Sequence, residues 1–472
     1  MHFKTLLLAT ALAAGVGLPV MAQPARPDAT EPAFRALYKE LVETNTTLSS
    51  GSCTLAAERL SRRLVDAGYT DADIHVFAAS DHPKEGGLVA TLKGSDPKLK
   101  AILLLAHLDV VEAKREDWTR DPFTLIEEGG YFYARGAADD KAMAAVFTDL
   151  MIRYRKENYH PRRDLKLALT CGEETTSAFN GPAWLVANHK DWIDAAFALN
   201  EGGGGELDEH GARVVMGVQS GEKVNQNFVL ETTNPGGHSS QPTPANALYD
   251  MAQALTKLQA FDFPVQLNDT TRAYFAAEAR LKGGDLGAAM LAILKDPTDA
   301  TADKLISKDK AWHSMLRTTC VATTIQGGHA VNALPQRVRA NVNCRIFPGV
   351  SVDNVRETLA RVIGNPGVAI TTDLPLSPTP PPPPLDPKVM QPFEKVMAEF
   401  YPDVPIVPSM STGYTDGRQL NAAGIPTYGI DGMFFDADGG GIHGLNERIR
   451  VQEVLNDRKF HYRLIKLYAD SK

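Results

Sequence analysis

Cysteine is scarce in this chain, with four residues among 472. Cys53, Cys171, Cys320 and Cys344 are too few and too scattered for a disulfide framework or a cysteine-rich zinc site. An oxidising compartment permits disulfides without requiring them. Cys320 and Cys344 flank a predicted pair of strands, so their positions favour a bond between them over any other pairing. Cys171 is expected to be a buried strand residue.

A basic surface is also missing, and so are internal repeats. The formal net charge is -8, with 49 Lys and Arg residues against 57 Asp and Glu residues. Nucleic-acid-binding domains concentrate positive charge, so we expect no nucleic acid partner. Hydrophobic residues make up 43% of the chain, which is enough for a substantial core.

Long apolar runs are absent except at the N-terminus. Lys4 precedes an apolar run over residues 6–20, and Ala22 closes a small-residue cleavage site. We therefore expect a signal peptide over residues 1–22 and a protein that is periplasmic or secreted, with no membrane contact after cleavage. The alternative is an uncleaved anchor, but the run is shorter than the roughly 20 residues that a spanning helix needs. No Cys follows the run, which argues against a lipoprotein anchor.

Alternating helix and strand patterns between residues 30 and 220 predict an α/β fold. The segment 100–106 is a continuous apolar run, typical of a strand buried on both faces. Alternation at this spacing indicates a mixed, mostly parallel sheet covered by helices. The predicted helices cover 54–68, 139–152 and 181–188, and the predicted strands cover 74–77, 88–92, 100–106, 165–170 and 195–200.

A second pattern begins near residue 222. The order strand, helix, two strands, helix, strand over 225–372 is that of an α+β ferredoxin-like sandwich, interrupted by a partly helical insertion at 261–317. The proline run at 377–385 is typical of a stiff, extended connector, and the competing interpretation is a recognition ligand for another domain. The expected division is a signal peptide (1–22), a catalytic domain in two parts (23–221 and 376–472) and an inserted lid or dimerisation domain (222–375).

Acidic residues and histidines follow several apolar strands. Because ligands bind beyond the carboxyl ends of strands in such sheets, we expect these side chains to share one site. Carboxylates and imidazoles together suit zinc, and such a set indicates metal-assisted hydrolysis. The residues are His107 and Asp109 in LLLAHLDVV, Asp139 and Asp140 in YARGAADDKAMAAV, Glu173 and Glu174 in LKLALTCGEETTS, Glu201 in FALNEGGGG and His443 in GGGIHGLNE.

Each motif has a simpler explanation when it is taken alone. H-x-D is common in surface turns, although residues two apart on extended backbone face the same way, so that His107 could bind metal while Asp109 supports it. Asp140 could merely cap the following helix, which leaves the other aspartate unexplained. In the pair formed by Glu173 and Glu174, one glutamate could bind metal while the other acts as general base and then protonates the leaving amine.

The series of motifs resembles that of the co-catalytic di-zinc metallopeptidase family, which includes aminoacylase, carboxypeptidase G, succinyl-diaminopimelate desuccinylase and Gly-X carboxypeptidase. The resemblance covers essentially the whole mature chain. The stretch AHLDVVEA…W…PF…YARGAADDK, with NYHPRRDLKLAL after it, is most similar to the Gly-X carboxypeptidase and secreted N-acyl-amino-acid hydrolase branch. Two departures, Asp140 after the expected bridging aspartate and Ala-Met after Lys141, remove no ligand.

The resemblance implies two zinc ions, for which Co²⁺ or Mn²⁺ can substitute. Asp139 would bridge the two ions. His107 and Glu201 would complete the ligands of one ion, and Glu174 and His443 those of the other.

The resemblance also implies roles beyond the metal ligands. Glu173 would be the general acid/base and Asp109 would support His107. His238 of PGGHSS would stabilise the oxyanion, in dimeric relatives from the partner subunit, so a homodimer through the inserted domain is expected. Arg345 could hold a substrate carboxylate, or form a surface ion pair. The substrate-binding positions are Asn332, Arg345, Gly413, Thr415 and Asp416.

The leading hypothesis is an exported zinc hydrolase that cleaves the amide bond of small peptides or N-acyl amino acids, in the manner of a carboxypeptidase. The inserted domain would have to swing to bring His238 or Arg345 to the metals. One alternative is a non-catalytic periplasmic binding protein of the same fold. Another is a di-metal hydrolase of a different ester or amide class, such as a phosphatase, which predicts a basic phosphate clamp that the motifs lack.

Overall fold

Helices surround two main sheets in the computed structural model, which describes residues 28–175, 179–374 and 376–471. The predicted signal peptide, residues 1–22, lies outside the described residues. No helix of the described residues combines the length and the apolar character needed to cross a membrane. The helices are α1 (Glu31–Val42), α2 (Cys53–Asp66), α3 (Lys141–Lys156), α4 (Gly181–Asn188), α5 (Lys190–Ile193), α6 (Ala247–Gln259), α7 (Asp269–Lys282), α8 (Gly284–Lys295), α9 (Ala300–Ile306), α10 (Lys310–Met315), α11 (Val352–Ile363), α12 (Pro387–Phe400), α13 (Gly417–Ala422) and α14 (Val451–Ala469).

The five strands predicted between residues 30 and 220 are all present, and their ends agree to within two residues except that β2 begins at His82, well before the predicted start at residue 88. The predicted strand at 195–200, for example, begins two residues later, at Phe197. The strands are β1 (Ile74–Ala79), β2 (His82–Leu92), β3 (Ile102–His107), β4 (Ile126–Glu128), β5 (Tyr131–Tyr133), β6 (Leu165–Thr170), β7 (Phe197–Asn200), β8 (Gly204–Leu207), β9 (Arg213–Glu222), β10 (Val224–Thr233), β11 (Gly237–His238), β12 (Thr319–Gly327), β13 (Ala333–Leu334), β14 (Arg337–Ile346), β15 (Val368–Thr372), β16 (Ile406–Ser411), β17 (Thr427–Gly429), β18 (Phe434–Phe435) and β19 (Arg448–Arg450).

A mixed ten-stranded sheet forms the larger unit. Its order is β1-β2-β6-β3-β7-β17-β9-β8-β18, with β16 paired to β9. The central strands β6, β3, β7 and β17 are parallel to one another, as predicted for a sheet covered by helices. Every residue of β3 is buried, which explains its continuous apolar run.

Local signals fix the helices that cover this sheet. The Ser52 side chain accepts a hydrogen bond from Leu55 N and so caps α2. Ala56, Leu60 and Leu64 recur at helical spacing on the buried face of α2. Asp140 stands at the N-cap position of α3, but its side chain makes no capping bond, so the capping explanation for this residue is wrong.

A four-stranded antiparallel sheet, in the order β12-β14-β10-β15, forms the smaller unit. Along the chain its elements follow as β10, α6, β12, β14, α11 and β15, which is the predicted ferredoxin-like order. Apolar residues of α6 and α11 pack on one face and give this unit a core of its own.

The insertion at 261–317 packs where the two sheets meet. It contains α7 to α10, which enclose a small core that also includes Phe347 from the smaller unit and Met410 from the larger one. Lys223, the single residue between β9 and β10, is buried and donates hydrogen bonds to Ser314 O at 2.8 Å and to Thr319 Oγ1 at 3.0 Å. The insertion therefore stabilises the connection between β9 and β10, where the chain passes from one sheet to the other.

Both pairs of cysteines form disulfides. Cys320 bonds to Cys344, the couple that the sequence favours. Cys53 bonds to Cys171, a pairing that the sequence did not indicate. Cys171 is buried, as expected, and directly follows β6. The partners are 118 residues apart. They meet because α2 packs against β2, the strand next to β6, which spacing along the sequence does not reveal.

Candidate active site

The carboxyl ends of three neighbouring strands carry the predicted ligands. Because β6, β3 and β7 are adjacent and parallel, the residues that follow them meet at one edge of the sheet. His107 is the last residue of β3, Glu173 and Glu174 follow β6, and Glu201 follows β7. The order of the strands thus gathers four side chains from three segments that are far apart in sequence.

Asp139 joins the two histidines of the site. Its Oδ1 lies 3.0 Å from His107 Nε2, and its Oδ2 lies 3.1 Å from His443 Nε2. His107 Nε2 is 3.8 Å from Glu201 Oε2, and His443 Nε2 is 2.9 Å from Glu174 Oε1. The five predicted metal ligands therefore form two groups that share Asp139, each with its ligand atoms within 4.8 Å of one another.

Glu173 lies beside these groups and is buried. A carboxylate oxygen of Glu173 lies within 4.8 Å of ligand atoms of His107 and Glu174. Burial, followed by the charge of Glu201, raises the pKa of Glu173 to about 11. Glu173 belongs to neither of the two groups that share Asp139, although it forms a third possible ligand group with His107 and Glu174.

The charges of the site fit bound cations. Among the described residues, no Lys or Arg side chain forms an ion pair with the four carboxylates of Asp139, Glu173, Glu174 and Glu201. Bonds to Asp139 and then Glu174 raise the pKa of His443 to about 10. Glu201 Oε1 is buried and has no hydrogen-bond partner among the residues that the structure describes. Carboxylate and imidazole donors with uncompensated negative charge are the set that zinc and similar divalent ions take.

Asp109 orients the site through its backbone as well as its side chain. Its carbonyl oxygen lies 3.0 Å from His107 Nδ1, which can donate to it and leave Nε2 as the ligand atom. The carboxylate, predicted to support His107, is 3.8 Å from Nδ1 and instead accepts hydrogen bonds from Gly172 N at 2.8 Å and Glu174 N at 3.0 Å. Asp109 therefore also holds the loop that carries Glu173.

Glu447 is a further supporting residue that the sequence did not single out. It is buried, and its two oxygens accept from the N–H groups of Gly136 at 3.0 Å and Ala138 at 2.8 Å and from the Arg135 side chain at 2.7 Å. It thus fixes the loop before Asp139. The one sequence feature that could have indicated Glu447 is its position four residues after His443, in the same motif.

The predicted residues of the smaller unit lie outside this cluster. His238 and Asn332 are exposed on the ribbon of β11 and β13, where Ser239 N donates to Asn332 O at 3.0 Å. Arg345 is half-buried on β14. Over the described ranges, no hydrogen bond or ion pair connects these three side chains to the carboxylates of the cluster.

The predicted loop of Gly413, Thr415 and Asp416 borders the cluster. Gly413 is exposed, whereas Thr415 and Asp416 are buried. The Asp416 oxygens accept from Asn180 Nδ2 at 2.7 Å and Thr170 Oγ1 at 3.1 Å, so its carboxylate is engaged inside the protein. Asn180, which the sequence did not indicate, therefore anchors this loop to the start of α4.

Residues 103–467 match the family described as peptidase family M20/M25/M40. The chain therefore belongs to this family, and it is a metal-dependent hydrolase that acts on amide bonds. It is 26% identical over 389 residues to the N-fatty-acyl-amino acid synthase/hydrolase PM20D1 of Mus musculus, covering 79% of this chain and 75% of the relative. It is 27% identical over 300 residues to carboxypeptidase S of Saccharomyces cerevisiae, covering 61% of this chain and 52% of the relative.

Solved structures share the fold. The M20 family metallo-carboxypeptidase Sso-CP2 from Sulfolobus solfataricus superposes with a TM-score of 0.67 at 18% identity, covering 92% of this chain and 99% of that chain. A dinuclear metal-binding M20 peptidase of Bacillus subtilis superposes with a TM-score of 0.59 at 12% identity, covering 94% of this chain and 99% of that chain. Both cover the larger and the smaller unit.

Replacing Glu447 should weaken metal binding without touching a ligand. In Glu447→Gln, an amide NH₂ must face the N–H groups of the loop before Asp139, so we expect metal affinity to fall about 10- to 100-fold. Competition with a chromophoric zinc chelator measures this. The matched control is Glu394→Gln, an exposed position on α12. Unchanged affinity in Glu447→Gln would show that the loop needs no such support.

Proposed function

We propose that the chain uses two divalent metal ions, zinc in the first instance, to hydrolyse the amide bond of small peptides or N-acyl amino acids. The observation that carries this proposal is the convergence of two ligand groups with a spare glutamate on one sheet edge. The names of the relatives, an N-fatty-acyl-amino acid synthase/hydrolase and carboxypeptidase S, support the substrate class. Co²⁺ or Mn²⁺ would serve in place of zinc.

The geometry supports a division of the ligands between two ions. Asp139 contacts the two histidines through different oxygens, as a bridging carboxylate would. His107 and Glu201 would hold one ion, and Glu174 and His443 the other. When bound, the ions would polarise the substrate carbonyl and lower the pKa of the attacking water.

The protein's own residues would move the proton. Bound cations would offset the neighbouring carboxylates that raise the pKa of Glu173 and so leave it ionised. Glu173 would then accept the proton of the attacking water and deliver it to the leaving nitrogen, because neither of the two groups that share Asp139 uses it. The bonds from Gly172 N and Glu174 N to Asp109 would keep the Glu173 loop in place during this transfer. The buried setting of Glu173 would exclude competing water.

Two neighbouring substitutions should separate the roles of the paired glutamates. We expect Glu173→Gln to lower kcat about 10²- to 10⁴-fold while both metals stay bound, since only the proton carrier is lost. Glu174→Gln should instead lose metal. The measurements are turnover of dipeptides and N-acetyl amino acids, together with metal content by mass spectrometry. Normal turnover by Glu173→Gln would refute the mechanism, and a wild-type protein that binds these amides without cleaving them would favour a binding protein.

The smaller unit, residues 222–375 by our division, would act as a lid and dimerisation domain between the catalytic parts 23–221 and 376–472. His238 is exposed on its outer ribbon, where it could reach the active site of a partner subunit and stabilise the oxyanion. Asn332 is next to His238 on this ribbon and would contact the same substrate. The loop from Gly413 to Asp416 would line the other side of the pocket.

Mixing two inactive variants should show whether His238 acts in the partner's site. If it does, a mixed dimer of His238→Ala and Glu173→Gln contains one intact site, and random pairing restores about one quarter of wild-type activity. Each variant alone serves as the control. No recovery, with mixed dimers demonstrated by differential tags, would place His238 in its own subunit's site.

The protein would be exported, to the periplasm or the medium. All four cysteines are paired in disulfides, which persist in oxidising compartments. Residues 1–22 have the pattern of a signal peptide, so we expect the exported protein to begin at Gln23. Intact-mass measurement of protein from the periplasm or medium of a bacterial host checks this. Retention of Met1 there would contradict cleavage.

A further inference from the structure

The loop that carries Glu173 begins at a disulfide. Cys171 directly follows β6, bonds to Cys53 and lies two residues before Glu173. Both cysteines are buried. The other disulfide, between Cys320 and Cys344, joins β12 to β14 within the smaller unit. One of the two disulfides is therefore next to the proposed proton carrier, and the other is not.

The far end of this bond belongs to a well-anchored part of the larger unit. Cys53 is the first residue of α2. Thr54 ties the same turn to the start of β2, because its Oγ1 donates to Pro83 O at 2.8 Å and accepts from Gly86 N at 2.9 Å. The bond to Cys53 therefore fastens the Glu173 loop to a helix that a strand of the central sheet holds in place.

The near end of the bond lies beside the carboxylate of Asp109. An oxygen of Asp109 is within 4.8 Å of both sulfur atoms, and all three side chains are buried. The same carboxylate accepts the hydrogen bonds from Gly172 N and Glu174 N that hold the Glu173 loop. Because the sulfur atoms help to keep water from this carboxylate, they strengthen the hydrogen bonds that it accepts.

The turn between the disulfide and Glu173 is closely packed. The carbonyl oxygen of Cys171 accepts from Gly181 N at 2.7 Å, at the start of α4. Gly172 has a φ of +95°, and a Cβ atom there would lie 1.8 Å from Phe179 O. A displacement of Cys171 is therefore passed on to Glu173, because close-packed segments transmit shifts to their neighbours.

A cavity of about 190 Å³ lies beside the bond. Its wall includes Cys53, Cys171, Asp109 and Thr175. If the two sulfur atoms were not joined, this space would let the loop relax from the position that brings Glu173 to the metal ligands. The covalent bond is therefore the contact that keeps the Glu173 loop out of the cavity.

We propose that the disulfide between Cys53 and Cys171 positions Glu173 for proton transfer by tying the Glu173 loop to the N-terminus of α2. This inference rests on the proposed function, in which Glu173 moves the proton. A catalytic group has to be held within about 0.5 Å of its productive position, and the bond supplies part of that support. The disulfide itself takes no part in the chemistry. Full activity then requires folding in an oxidising compartment, where such bonds persist.

The test removes one disulfide at a time. Cys53→Ala/Cys171→Ala lacks the proposed tether, and the matched control Cys320→Ala/Cys344→Ala lacks the disulfide of the smaller unit. Turnover of N-acetyl amino acids and dipeptides is measured with saturating zinc, below the unfolding temperature of both variants. We expect kcat of the first variant to fall about 10- to 100-fold, as for a catalytic group displaced by about 1 Å, while KM changes less than about threefold. The control should keep the wild-type kcat.

Unfolding temperature and bound zinc separate positioning from a general loss of stability or of metal. Both variants should unfold at a lower temperature than the wild type, because each has lost a covalent crosslink. Only the loss of the bond between Cys53 and Cys171 should lower kcat. Equal kcat in the two variants would overturn the proposal. So would full recovery of kcat at higher zinc concentration, because the bond would then support only the ligand Glu174.

The loss of kcat should also depend on Glu173. Adding Cys53→Ala/Cys171→Ala to Glu173→Gln should lower the residual turnover less than about twofold, because the group that the disulfide positions has already been removed. A further loss of about 10- to 100-fold in the triple variant would show that the disulfide acts on another part of the site. That result would overturn the assignment.

Reversible reduction provides a measurement that does not depend on the folding of Cys53→Ala/Cys171→Ala. In the control variant Cys320→Ala/Cys344→Ala, the remaining disulfide is the one between Cys53 and Cys171. Tris(2-carboxyethyl)phosphine with one water converts this disulfide to two thiols and becomes the phosphine oxide. After its removal, oxidised glutathione takes up the two thiol hydrogens, which restores the disulfide and releases two molecules of reduced glutathione.

We expect kcat of the control variant to fall on reduction and to return on reoxidation, with thiols counted at each stage and zinc kept saturating. Unchanged kcat with both thiols free would contradict the proposal. A wild-type protein that cleaves no amide would instead refute the proposed function.

Discussion

Repulsion among four carboxylates at one edge of the central sheet is the constraint on which the site depends. Asp139, Glu173, Glu174 and Glu201 are brought together in a largely buried setting with two histidines as the only basic partners that pair with them in the described part of the chain. Carboxylates so placed stabilise a protein only when positive charge offsets them. Metal binding should therefore stabilise the folded structure at this edge of the sheet.

Supporting bonds keep the carboxylates in place against that repulsion. Asp109 binds the N–H groups of the loop after β6, and Glu447 binds those of the loop before α3. In both cases a buried carboxylate accepts hydrogen bonds from several backbone N–H groups, so it fixes the backbone of the loop. The ligands are consequently positioned by anchored loops, as a metal site requires.

The smaller unit is joined to the larger one by the short connection between β9 and β10 and by the insertion at 261–317. Lys223 separates β9 from β10, and its ammonium group is held by Ser314 of the insertion and by Thr319. Thr270 of α7 also donates a hydrogen bond to Ser220 O, on β9 of the larger unit, at 3.0 Å. The insertion thus stabilises one arrangement of the two units. If the smaller unit moves toward the active site, these hydrogen bonds must either break or move with it.

The sequence by itself determined the elements and the ligand types. Apolar strands that end in His107, Glu173, Glu174 and Glu201 predicted the edge of the sheet, because the carboxyl ends of parallel strands meet. The order of strands and helices also predicted the ferredoxin-like unit, because apolar residues repeat with a different period in strands than in helices.

Only the tertiary structure decided the contacts between segments far apart in sequence. The bond between Cys53 and Cys171 and the anchoring of the loop before Asp139 by Glu447 depend on which surfaces pack together. No local pattern encodes such pairings, because cysteines, acids and arginines occur in many environments. Their roles follow from the burial and the partners that packing gives them.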